Sequence, residues 1–198
     1  MDTRDKLLEI VGTGNFSDDP TVLKKYAFDF SLVPPGAPSY VAKPKDAEEV
    51  GKMIRLANEH SIPVVPVRSD VHFNGATIPK QGGIMLDLTR MREVLEIDEA
   101  NRRVRIEAGV FWQQLTEELA RKGMRMIMPL LPHANRSVLT DYLEREVPTN
   151  TVYDYGEPMQ SMEVVWPNGE ILRRGAASVN GYPDSISKGA NPSGPGLD

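Results

Sequence analysis

Polar and apolar positions along this chain alternate between two periods. Between Asp46 and His60, Val50, Met53, Ile54 and Ala57 recur at helical spacing, and Asp46 with Glu49 three residues on makes a capping box. An amphipathic helix is therefore predicted over 46–60. Before it, Ser39-Tyr40-Val41-Ala42 reads as a short strand ended by Pro44. After it, Ile62–Val67 is an apolar strand whose prolines suit an edge or a strand end. Gly83–Leu88 and Val94–Ile97 are two more strands. Asn101–Glu107 sets Val104 and Ile106 against Arg103 and Arg105, the alternation of a half-buried strand. A second helix over Val110–Arg121 brings Trp112, Leu115 and Leu119 onto one face. Met162–Trp166 and Glu170–Leu172 flank Pro167-Asn168-Gly169, a hairpin turn.

Ahead of this pattern, residues 1–37 form an arm with one short helix, Asp5–Ile10, and a proline break at Val33-Pro34-Pro35-Gly36. The tail from Ala190 holds proline and glycine without periodicity. The expected organisation is an arm at 1–37, a first lobe at 38–98 and a second lobe at 99–198. The class is α+β, with Ser39–Ile97 and Val104–Arg173 facing each other across a groove.

Composition removes several functions. A net charge of −5 argues against a nucleic-acid partner. Apolar runs such as Ile62–Val67 fall far short of the roughly 18 residues that span a bilayer, so no membrane is expected. The start, with its acidic residues, does not read as a secretory signal, which leaves cytoplasm as the default. The absence of cysteine excludes disulfides, thiolate metal sites and cysteine nucleophiles. His60, His72 and His133 are too scattered for a metal set. His60 reads as a helix C-cap, His133 as a solvated loop residue, and Met124, Met126 and Met128 as one face of a buried strand.

The chemistry concentrates after the strand Ile62–Val67, in Arg68-Ser69-Asp70-Val71-His72-Phe73-Asn74-Gly75-Ala76-Thr77-Ile78-Pro79. A loop in this position can aim backbone N–H groups at an anion, and glycine permits close approach. Only Gly75 supplies that here, so a plain surface loop is the alternative reading.

A wider set of motifs adds to this. Asp87-Leu88 follows an apolar strand, Glu107-Ala108-Gly109-Val110 follows the next pair, and a helix led by Trp112 comes after. Further on stand Ser137 to Val147, the pair Tyr155-Gly156, and Met162 to Arg173. In this order the motifs resemble the FAD-binding domain of the vanillyl-alcohol oxidase and p-cresol methylhydroxylase family, over about residues 40–198. The resemblance implies FAD as cofactor, with its pyrophosphate held between loops 68–76 and 132–143. The binding residues so implied are Arg68, Ser69, Asp70, Val71, His72, Asn74, Gly75 and Ala76, then Pro132, Ser137, Val138, Leu139, Asp141 and Arg145. Backbone N–H groups of Asn74–Ala76 and Ser137–Leu139 are the expected donors.

Both loops depart from the family pattern. Ser69, Asp70 and Val71 stand where small residues are usual, Thr140 replaces a glycine, Asp141 an asparagine, and Glu146 and Pro148 further glycines. A carboxylate about 4 Å from a phosphate costs on the order of 4 kcal/mol at an effective dielectric of about 20. Asp70 and Asp141 thus point away or weaken the site, with Arg68 and Arg145 as offsets. Some branches of the superfamily tether FAD through a histidine in an Arg-Ser-Gly-Gly-His run; the run here is Arg68-Ser69-Asp70-Val71-His72, and an untethered polar loop histidine is the other reading.

The resemblance further implies an N-terminal portion only, with the rest of the FAD domain and the substrate cap absent and no catalytic residue nameable. The missing half is expected from a partner polypeptide or replaced by self-association, and FAD is expected to be held weakly by this portion alone. Two functions follow. One is the FAD-binding part of an oxidoreductase acting by hydride transfer from a phenolic or hydroxy-acid substrate. The other is a non-catalytic scaffold or binding subunit that has lost tight flavin binding.

Overall fold

The computed structural model describes residues 2–69, 71–126, 128–129, 133–144 and 159–175. Asp70, Pro132, Arg145, the Tyr155-Gly156 pair and the tail from Ala190 lie outside them.

Four strands make the central sheet: β1 (Phe16–Ser17), β2 (Tyr40–Ala42), β3 (Val64–Val67) and β4 (Ile84–Asp87), in the order β1-β2-β4-β3. β4 runs parallel to both neighbours, and β1 closes the far edge antiparallel to β2. With a partner on each side, β4 is buried at all four positions. β3 is the other edge, where Pro66 deprives no neighbour of a ladder bond. Helices α1 (Thr3–Val11), α2 (Pro20–Leu23) and α3 (Ala47–Glu59) belong to the same unit. Parallel strands need a crossover, and α3 supplies it from β2 to β3, which flank β4 on either side.

The capping box predicted for α3 forms with one change of partner. Asp46 Oδ1 accepts from Glu49 N at 2.8 Å, and Glu49 Oε2 accepts from Lys45 N at 2.9 Å instead of from the cap residue. The apolar face of α3 then buries Val50, Met53, Leu56 and Ala57 against Leu7 and Val11 of α1 and against Ala42, Ile84 and Leu86 of the sheet. Val41, Val67 and Met85 form a smaller cluster with Val22, Leu23 and Tyr26. Residues 1–37 are therefore no mere arm: they give the sheet a strand, the core a helix, and that smaller cluster three side chains.

The second unit contains the hairpin β5 (Val94–Asp98) and β6 (Arg103–Ile106), with α4 (Trp112–Arg121) and α5 (Val138–Glu144). Its core is Val110, Trp112, Leu115, Leu119 and Val138, onto which Val94, Ile97, Val104 and Ile106 pack. The expected boundary at 98/99 is thus corrected, since it would cut a hairpin whose first strand belongs to this second core. Met124, Met126 and Met128 do pack on that core, as irregular chain and not as a strand.

The last hairpin, β7 (Ser161–Val165) and β8 (Ile171–Gly175), also moves from its expected lobe. It lies on α3 of the first unit. Arg55 Nη1 donates to Gly169 O at 2.6 Å, Asn58 Nδ2 to Pro167 O at 2.6 Å, and Val165 packs on the first core. A Cβ on Gly51 would stand 2.8 Å from Gly169 O, so the helix offers its glycine where the turn comes closest. Among the described residues no helix is long and apolar enough to cross a membrane, and no group of histidines and carboxylates could hold a metal.

Candidate functional site

The loop leaving β3 reaches across to the second unit. Arg68 Nε donates to Thr140 Oγ1 at 3.2 Å, with Thr140 fully buried on α5. Threonine in a glycine's place is therefore a bridge between the two segments that sequence reasoning paired. Ser69 is buried, its hydroxyl donating to Val71 O at 3.3 Å. Val71 is buried beside it, while Asn74 and Ala76 are exposed.

His72 sits at the centre. It is 7% exposed, and its Nε2 has no hydrogen-bond partner. Burial pulls its pKa below the ordinary value; a bond with the Ser69 backbone opposes this, the positive charges of Arg68 and Arg136 add to it, and Asp29 opposes it. At neutral pH the folded protein holds a neutral imidazole. Unfolded, this histidine takes a proton near pH 6.5, so below that value the unfolded state binds more protons and stability falls. A His72→Gln chain should lose part of this decline, measured as urea midpoints across pH 4.5–7.5, about two units below to one above the ordinary histidine value. Identical pH profiles in the two proteins would contradict it.

The second segment is built around a buried ion pair. Arg136 Nη1 lies 2.7 Å from Asp141 Oδ1, with both side chains almost wholly buried. Trp112 Nε1 donates to Asp141 Oδ2, and Tyr142 packs on the indole at 5.9 Å between centroids. Burial, then the Asp141 charge, pushes the Tyr142 hydroxyl up to about 12. Asp141 therefore answers to Arg136 and Trp112, which removes the repulsion expected of it near a phosphate.

Arg136 also lies 5.2 Å over the ring of Phe73, joining this pair to the first loop. Ser137 Oγ donates to Ala108 O at 2.7 Å, and Val138 N to Val110 O at 3.0 Å. These bonds explain the Glu107-Ala108-Gly109-Val110 motif: it is the seam on which the second segment is sewn. A Cβ on Gly109 would come within 2.5 Å of Leu88 O, so the motif also needs its glycine against the Asp87-Leu88 turn.

Two expected donors are corrected. Gly75 N donates to Asp29 Oδ2 at 2.8 Å, and the Val138 N–H is engaged by Val110. Gly75 is a glycine for a local reason: its φ is +71°, and a Cβ there would meet Val33 Cγ2 at 2.5 Å. Sequence reasoning missed Arg136, Phe73 and Asp29. Arg136 and Phe73 each stood next to chosen residues, but nothing in the sequence marks Asp29. Of the remaining expected residues, Leu139 is half-buried on α5, and Ser137 is wholly buried.

Comparison with known proteins agrees with this architecture. The family described as FAD binding domain matches residues 38–175. An FAD-linked oxidoreductase of Mycobacterium tuberculosis is 32% identical over 84% of this chain and 37% of its own length. The glycolate oxidase subunit GlcD of Bacillus subtilis is 28% identical over 91% of this chain and 40% of its own. The crystal structure of p-cresol methylhydroxylase with substrate bound superposes with a TM-score of 0.81 at 26% identity, over 99% of this chain and 39% of that one. The chain thus spans about two fifths of the length of these relatives. It belongs to the FAD binding domain family and has the fold of the p-cresol methylhydroxylase type, with FAD as its cofactor.

Proposed function

We propose that this chain is the FAD-holding part of an oxidoreductase that takes a hydride equivalent from a hydroxy-acid or phenolic carbon. The observation that carries the reading is the meeting of the two segments around His72. Arg68 binds Thr140, Arg136 covers Phe73, and an imidazole Nε2 is left buried without a partner. A buried polar atom without a partner is rare and marks a place where something else bonds.

The donor set suits FAD in its charge. Arg68 beside a neutral imidazole favours an anionic group, while the charge of Arg136 is matched by Asp141. FAD supplies the hydride-accepting chemistry when bound. Arg68 offsets pyrophosphate charge, His72 offers Nε2 as a donor or acceptor toward the flavin, and Arg136 keeps Phe73 in place. The substrate class rests on the names of the relatives, one a glycolate oxidase subunit and one a p-cresol methylhydroxylase. In this reading the substrate pocket and the group that removes the proton come from further polypeptide, in the same chain or a partner.

Titration of FAD with the chain should quench flavin fluorescence saturably. Arg68→Ala should weaken that binding about tenfold, the worth of one charge-assisted hydrogen bond. Absence of saturable quenching sinks the reading. It would favour the second one, a non-catalytic scaffold, whose support is that Gly75 and Val138 already give their N–H groups to the protein itself.

A further inference from the structure

Residues 28–33 alternate in a direction that burial alone does not choose. Phe28 and Leu32 point out, at 58% and 103% exposure, and Phe30, 69% exposed, sets its ring 6.0 Å from that of Phe73 in the loop after β3. Asp29, Ser31 and Val33 turn the other way, toward the loop after β3. The segment closes on itself, with Gly36 N donating to Ala27 O at 2.7 Å. Three hydrogen bonds join residues 29–37 to the loop. Phe30 N donates to His72 O at 2.9 Å, Gly75 N donates to Asp29 Oδ2 at 2.8 Å, and Ala37 N donates to Pro79 O at 3.3 Å. Ser31 Oγ and Val33 Cγ2 stand where a Cβ on Gly75 would be, and Gly36 lies so close to Pro79 that a Cβ there would be 2.3 Å from its carbonyl oxygen.

We infer that this segment is a strap that fixes the loop around His72, with Asp29 as its positioning residue. The inference rests on the proposed FAD site. Residues 71–79 have no helix or strand of their own, so their shape is set by what they bond to. The strap takes hold on both sides of His72, at its carbonyl and at Gly75, and so holds the imidazole while leaving Nε2 without a partner. Asp29 does two jobs at once: Oδ1 accepts from Ser31 N at 2.8 Å, shaping the strap, and Oδ2 accepts from Gly75, anchoring the loop. Burial pushes its carboxyl up, but the bonds from Ser31 and Gly75 outweigh this and keep it below the ordinary range, so it is charged at neutral pH. A fixed loop meets FAD without first losing conformational freedom, which raises affinity.

The test compares the parent chain with Asp29→Ala, Asp29→Asn and the outward variant Leu32→Ser. Amide hydrogen exchange at Gly75 reads the anchor, and quenching of FAD fluorescence reads binding. In Asp29→Ala, Gly75 should exchange at least about tenfold faster and FAD should bind about tenfold more weakly, the usual loss for a hydrogen bond to a charged group. Asp29→Asn, with one accepting oxygen for two donors, should fall between, and Leu32→Ser should match the parent. Unchanged Gly75 exchange in Asp29→Ala overturns the strap, as does faster exchange with undiminished FAD binding. A parent chain that takes no FAD overturns the proposed function instead, while the exchange data still decide whether Asp29 holds the loop.

Discussion

Asp141→Ala should lower the unfolding free energy by about 3–5 kcal/mol, the cost of leaving a buried charge without its partner. Asp141 is 3% and Arg136 5% exposed, so water cannot replace the lost carboxylate. The same substitution strips Trp112 Nε1 of its acceptor inside the second core. Urea denaturation followed by tryptophan fluorescence reads the loss. Asp141→Asn retains an acceptor for the indole but no charge for Arg136, and should fall between. Arg136→Met with Asp141→Leu removes both charges and should recover most of the stability, because desolvating the pair offsets much of its attraction. Equal losses in the single and double variants would show that packing around α5, and not the unpaired charge, sets the cost.

Met53→Ala and Leu115→Ala should each cost about 2–5 kcal/mol, since both side chains are fully buried and leave cavities. They sit in different cores, Met53 on α3 and Leu115 on α4. The two units are cross-linked, Arg68 to Thr140 in one direction, and a hairpin formed by residues after the second core lies on α3 in the other. Each variant is therefore expected to move one common transition, and slow-exchanging amides in β4 and α4 should lose protection together. Two separable transitions, each moved by only one variant, would mean that the cores unfold independently.

Periodicity and capping were enough to locate most elements of this chain. Asp46 with Glu49 marked the start of α3, the prolines of Ile62–Val67 suited an edge or a strand end, and Pro167-Asn168-Gly169 marked the final turn. All are local signals, carried by backbone geometry within a few residues. The ordered motifs also carried the FAD fold, because each is a turn or a glycine contact that the fold requires: Gly109 against Leu88 O is one such contact.

Grouping of elements was not legible in the same way. Nothing in Val94–Ile97 says that it pairs forward with β6 instead of back with β4, and nothing in Met162–Arg173 says that it lies on α3. Polar chemistry was hidden for a similar reason. Asp141 looked like a charge opposing phosphate until Arg136 and Trp112 were found beside it, and Gly75 looked like a phosphate glycine until Asp29 and Val33 came to it from 46 and 42 positions away. A sequence determines where a chain bends and which face of each element is apolar, because those depend on neighbours a few bonds apart. Which charge is matched and which amide is already engaged depend on groups brought together only by burial of the cores, and the tertiary structure alone decided them.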